Sequence, residues 1–173
     1  MLTLAIYLNS RGLSFVLFEG TLSPYDWGNF EFRGPRKDAS CLRKMTALLD
    51  GYNVDALVIQ HTGAGGTRRV SRLSMLNTAL EAAAREHGVL VFKYSRADVY
   101  ETFSSAGFAN KQRFAEVIAK RIPAFERHVP PPRKPWMSED TRMGLFDAAA
   151  LALVFFERAK ELDPGALPSE SLA

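Results

Sequence analysis

Cysteine is nearly absent from this 173-residue chain, and what else is scarce narrows its chemistry further. A single cysteine, Cys41, excludes an intrachain disulfide, and no cluster of His and Cys has the spacing of a zinc site. There is no run of about 18 apolar residues, so a membrane-spanning helix is not expected. The apolar opening Leu2 to Leu8 is short and is broken by Asn9-Ser10-Arg11-Gly12, which argues against a secretory signal and for a cytoplasmic protein. The glycine-rich stretch Gly63-Ala64-Gly65-Gly66-Thr67 lacks the Gly-Lys-Ser/Thr ending that holds nucleotide phosphates, so no nucleotide cofactor is expected. Excess charge is also small. A formal net charge of +3 means that any case for an acidic partner rests on where the basic groups lie.

What is present is an ordinary globular composition, 47% hydrophobic and 24% charged, which does not have the apolar depletion of disordered chains. The length suits one domain burying about two thirds of its unfolded surface. We expect a single domain over residues 1–162 and a flexible tail over 163–173.

Leu2 to Leu8 and Leu13 to Phe18 flank a Gly/Asn/Ser turn and predict a hairpin. Trp27 to Arg33 sets Trp27, Asn29, Glu31 and Arg33 opposite Gly28, Phe30 and Phe32, the period of a third, half-exposed strand. A helix is predicted over Ala39 to Leu49. Ala56-Leu57-Val58-Ile59 then reads as a parallel strand buried on both faces, ending at Gln60. Val70 to His87 is strongly amphipathic, Val89 to Tyr94 is a fifth strand, and helices follow near Ala97 to Phe103, Lys111 to Arg121 and Ser138 to Leu162. Pro130-Pro131-Pro132 and Pro135 stiffen the connector before the last helix. This order predicts an α/β fold: a five-stranded mixed sheet, three antiparallel strands followed by parallel ones, with helices on both faces.

Two stretches carry a family likeness. Val91-Phe92-Lys93-Tyr94, Val99-Tyr100-Glu101-Thr102 and Gly107-Phe108-Ala109-Asn110-Lys111-Gln112 form one, and Phe146-Asp147-Ala148-Ala149-Ala150-Leu151-Ala152-Leu153 the other. In these the chain resembles RuvC-type Holliday-junction resolvases, nucleases of the ribonuclease H-like fold, from about Leu4 to Arg158. The resemblance implies a four-carboxylate cluster binding magnesium or manganese, a two-fold dimer and branched DNA as partner.

Carried over position by position, the cluster is depleted. The first acid falls on Tyr7, or on Asn9 if the register slips; the second on Gln60; and in the last helix Asp147 is retained while Gly144 replaces the other aspartate. Hard divalent ions need several charged oxygens. With neighbouring charges interacting at about 4 kcal/mol at an effective dielectric near 20, a single acid predicts a loss of metal affinity of several kcal/mol. We therefore expect no metal and no other cofactor, and a catalytically impaired resolvase relative that binds nucleic acid.

Two other readings stand beside it: a metal-dependent junction endonuclease using magnesium or manganese in a rearranged site of Asp147 with Glu139, Asp140 or His61, and a protein-interaction scaffold. Asp147 could equally be a helix carboxylate satisfied by its neighbours, and Tyr7 and Gln60 could fill the former acid pocket with neutral hydrogen bonds. Arg11, Arg68, Arg69, Arg72, Lys93, Lys111 and Arg113, with Arg96 nearby, are expected to contact phosphates or to be a solvated charged surface. Phe103 and Phe108 read first as core and second as base-stacking groups. Met75 and Leu76 are the expected edge of a homodimer interface.

Overall fold

The computed structural model describes residues 1–63, 67–106 and 110–162. Five strands, β1 (Leu2–Leu8), β2 (Gly12–Glu19), β3 (Pro24–Glu31), β4 (Ala56–Gln60) and β5 (Leu90–Tyr94), form one sheet in the order β3-β2-β1-β4-β5. The first three pair antiparallel, and β4 and β5 add in parallel to β1. Helices α1 (Lys37–Gly51) and α2 (Arg68–Glu86) cover one face; α3 (Arg96–Phe103), α4 (Lys111–Arg121) and α5 (Met143–Leu162) cover the other. This is the ribonuclease H-like arrangement expected from the sequence.

Strand parity explains both cores. In β1, Leu4, Ile6 and Leu8 join the α1/α2 core, while Ala5 and Tyr7 turn to the α5 side; in β4, Leu57 and Ile59 oppose Ala56 and Val58 in the same way. Because both faces are covered, β1 lacks the clean apolar-polar alternation of a half-exposed strand. The same parity puts Ser14 of β2 with Val16 and Phe18, facing α5.

Helix α5 is the spine of that second core. Every residue from Met143 to Phe156 is buried except Asp147. Small side chains at Gly144, Ala148, Ala149, Ala150 and Ala152 let the helix lie close on the sheet, where bulkier ones would hold it off.

Several boundaries differ from expectation. The last helix begins at Met143 instead of Ser138, because Asp140 Oδ1 accepts the backbone N–H of Arg142 (2.9 Å) and bends the chain ahead of the first turn. Strand β3 runs Pro24–Glu31 instead of Trp27–Arg33. A register shift at Leu17/Phe18 extends its pairing backwards, and beyond Glu31 only the Phe32 N–H bonds the β1–β2 turn, at Arg11 O (2.9 Å), before Gly34 turns at φ +82°. The expected tail 163–173 lies outside the described residues, as do Ala64–Gly66 and Gly107–Ala109, parts of two stretches singled out in the sequence. Among the described residues no helix is long and apolar enough to cross a membrane.

Candidate nucleic-acid interface

The carboxyl ends of β1 and β4 face the start of α5, and two adjoining cavities lie between them. The larger, a cleft of about 220 Å³, is lined by Tyr7, Ser14, Asn29, Lys111, Gly144 and Asp147 among others. The smaller, about 80 Å³, is lined by Tyr7, Gln60, Arg96, Tyr100, Lys111 and Asp147. Tyr7, Lys111 and Asp147 border both, so they form the wall between the two.

Asp147 is the one ionisable side chain in the packed part of α5, with 16% of its side chain exposed. Burial pushes its carboxyl up from the ordinary 3.8 to about 6; Lys111 and Arg96 oppose the rise and Glu139 adds to it. Lys111 Nζ stands 2.6 Å from Glu139 Oε1 and 3.8 Å from Asp147 Oδ2, placing one ammonium between two carboxylates. Burial, and next the Asp147 charge, also raise the Tyr7 phenol above its ordinary value of 10, so Tyr7 is a neutral hydroxyl at physiological pH.

Asn9 is held in its own turn: its Oδ1 accepts the N–H groups of Arg11 (2.8 Å) and Gly12 (2.9 Å), a local cap that fixes the hairpin. On strand parity it is Tyr7 that faces Asp147, not the residues on either side of it.

Gly144 leaves no room for a larger residue. A Cβ there would overlap Ser14 Oγ, which donates a 2.5 Å hydrogen bond to Asn29 Oδ1. The space beside Gly144 is thus filled by the buried Ser14 hydroxyl, whose partner reaches over from β3. Sequence reasoning missed Ser14 and Asn29, although a serine on the buried parity of an apolar strand was a visible signal.

A divalent metal does not fit the donor set. Four carboxylates border the larger cleft, but each is matched to a cation: Glu31 to Arg33 (3.6 Å), Glu139 and Asp147 to Lys111, and Asp140 to Arg142 (2.6 Å). Among the described residues no three His, Cys, Asp or Glu side chains are grouped to hold a metal ion. Of the other members of the rearranged nuclease site, Glu139 lines the larger cleft and shares Lys111 with Asp147. Asp140 caps its own turn and its carboxyl is held below the usual range by Arg142. His61 borders neither cavity; its backbone N–H bonds Tyr94 O at 2.7 Å.

The expected phosphate-contacting residues divide into two groups. Arg11, Arg69 and Lys111 line the larger cleft, with Arg96 in the smaller one, and Arg68 is exposed beside Arg69 at the start of α2. The others are engaged elsewhere. Arg72 Nε bonds Asp38 Oδ1 at 2.5 Å and joins α2 to α1; Lys93 Nζ reaches Glu81 Oε2 on α2 at 3.1 Å; and Arg113 pairs with Glu116 at 3.5 Å. None of these three borders either cavity. Phe103 is buried edge-on against Phe114, with ring centroids 5.2 Å apart, so it belongs to the core, and Phe108 lies outside the described residues. Of the expected interface pair, Leu76 is buried in the α1/α2 core and only Met75 is exposed.

No protein-family model matches the chain, and no curated protein sequence does. Solved structures do. The chain is similar to T. thermophilus RuvC in complex with Holliday junction substrate, at 17% identity and a TM-score of 0.67, covering 92% of this chain and 96% of that one. It is similar also to a second Thermus thermophilus RuvC structure, at 18% identity and a TM-score of 0.65, with the same coverage of both chains. At this identity the likeness is one of architecture, and it joins the sheet order in placing the chain among ribonuclease H-like folds.

Proposed function

We propose that this protein is a RuvC-like nucleic-acid-binding domain that takes branched DNA at the rim of the cleft and has lost efficient metal-dependent cleavage. The observation that carries the reading is an inversion of charge at two helix starts. Arg68 and Arg69 open α2, Lys111 opens α4, and neither first turn contains an acid. The positive end of a helix dipole repels cations there at a cost of about 0.3–1 kcal/mol each. A bound polyanion reverses the sign, because dipole and side chains then pull the same phosphates together.

Three facts support the rest. Arg69 and Lys111 line one cleft with Arg11, giving cations from separate elements a common surface. A solved structure of similar architecture is T. thermophilus RuvC in complex with Holliday junction substrate. The donor set between β1, β4 and α5 does not suit divalent metal, and Lys111 supplies local positive charge beside Asp147. Homodimerisation remains part of the proposal, with Met75 on the outer side of α2 as its exposed apolar element.

The test is a labelled four-way junction titrated with protein at several salt concentrations, with and without magnesium or manganese. Expected is a salt-sensitive complex, weakened in Arg68→Ala/Arg69→Ala, with the DNA left intact. Metal-dependent nicking abolished by Asp147→Ala would overturn the loss of cleavage; absence of any salt-sensitive complex with DNA or RNA would overturn the binding reading in favour of a scaffold.

A further inference from the structure

Beyond the cleft, an open groove of about 540 Å³ runs beside the β1–β2 turn and the loop between β3 and α1. Its walls are Ser10, Arg11, Glu31, Phe32, Arg33 and Lys37, with Gly34 at the bend. Ser10, Arg11 and Glu31 also line the cleft, so the two surfaces are continuous. We infer that this groove is a second phosphate-binding surface, a track that carries the nucleic-acid backbone away from the cleft. The inference rests on the nucleic-acid reading above and names a part of the binding surface that reading leaves out.

Charge and shape select the ligand. Three cations face one carboxylate; Arg33 is matched to Glu31 at 3.6 Å with its own side chain 91% exposed, and among the described residues no ion pair engages Arg11 or Lys37. Guanidinium forks and an ammonium suit phosphate oxygens, and the Ser10 hydroxyl adds a donor. Phe32 is the one large apolar residue in the lining, and it is packed against the α1/α2 core, so little remains for an apolar ligand. An open, hydrophilic, cationic trough fits a chain passing along it better than an enclosed small molecule.

The groove is also mechanically tied to the cleft. The Phe32 N–H bonds Arg11 O at 2.9 Å, clamping the hairpin turn to the strand that leads into Arg33. The Lys37 N–H bonds Gly34 O at 3.3 Å, fixing the start of α1 against the same loop. Backbone bonds therefore hold the main-chain positions from which the three cationic side chains extend.

The experiment measures the salt dependence of junction binding for the full chain, for Arg33→Ala/Lys37→Ala and for Arg68→Ala/Arg69→Ala. Removing one cation that neutralises a phosphate lowers the slope of log K against log salt by about 1. The groove pair is expected to lose about 2 from the slope and to weaken binding equally for junctions of different sequence. A groove variant with the wild-type slope, alongside a reduced slope in the α2 pair, would overturn the track and leave the cleft reading standing. If wild-type binding itself shows no salt dependence, both fall. Thermal unfolding of each variant controls for folding, and Arg33→Gln/Lys37→Gln repeats the measurement should the alanine pair melt early.

Discussion

Helix α3 and the cleft beside it manage charge in opposite ways, although α3 lines the smaller cavity. At the start of α3, Ser95 Oγ accepts the Asp98 N–H at 3.1 Å, Asp98 Oδ2 accepts the Ser95 N–H at 2.6 Å, and Arg158 binds the other carboxylate oxygen at 2.5 Å. The acid stands where the dipole favours it, and the Ser95 bonds, with Arg158, hold its carboxyl below the usual range. Across the smaller cavity, Asp147 is buried, raised to about 6 and faced by a shared lysine, while α2 and α4 start with cations. Although α3 also opens on a cation, Arg96, its first turn holds an acid that the cap and an ion pair satisfy. The second region keeps charges where folding by itself does not favour them, which is what the binding proposed above would account for.

The largest expected effect comes from neutralising Asp147. A rise from 3.8 to about 6 corresponds to about 3 kcal/mol against the ionised form. Because the folded value lies above the unfolded one, this carboxyl favours the fold below about pH 4 and loses that advantage as pH climbs through 6. Asp147→Asn should therefore gain up to about 3 kcal/mol over wild type at pH 7.5 in urea unfolding, with the gain vanishing near pH 4. An unchanged difference at both pH values would show that burial does not govern this group.

Asp98→Ala should do the reverse, losing about 2 kcal/mol at pH 7 through the missing capping box and ion pair. Here the folded value is depressed, so the loss is full above the unfolded value and shrinks as pH falls through the folded one. Junction binding should stay as in wild type, and a matching loss of affinity would erase the distinction between the two regions. Gly144→Ala should cost about 1–3 kcal/mol by overlap with Ser14. Part should return in Gly144→Ala/Ser14→Ala, and a double-mutant cycle showing additive effects would refute the overlap.

The smallest effect is the most diagnostic. Arg68→Glu/Arg69→Glu places acids at the favourable end of α2 and should stabilise the protein by about 0.3–1 kcal/mol per site while weakening salt-sensitive binding more than the alanine pair does. A variant that becomes both less stable and less able to bind would mean that these arginines serve the fold.

Much of the fold was legible because its signals are local. Helix α4 spans Lys111–Arg121 as its periodicity predicts, and the apolar run Ala56–Ile59 after a helix marks a parallel strand. Errors fell where a side chain competes with the backbone, as Asp140 does ahead of α5, or where a register shift depends on a partner strand, as in β3. For the site, the family likeness pointed to Tyr7, Gln60 and Asp147, and strand parity explains why they come together around one recess. Which cations stay available was not legible: Arg72 with Asp38, Lys93 with Glu81 and the overlap of position 144 with Ser14 link residues far apart in sequence.

That overlap couples two positions 130 residues apart. Since the Ser14 hydroxyl occupies the volume a Cβ at position 144 needs, any side chain placed there has to turn that hydroxyl aside. Turning that hydroxyl aside gives up its bond to Asn29. Positions 14 and 144 therefore behave as one unit of design: a side chain can be added at the second only together with a change at the first.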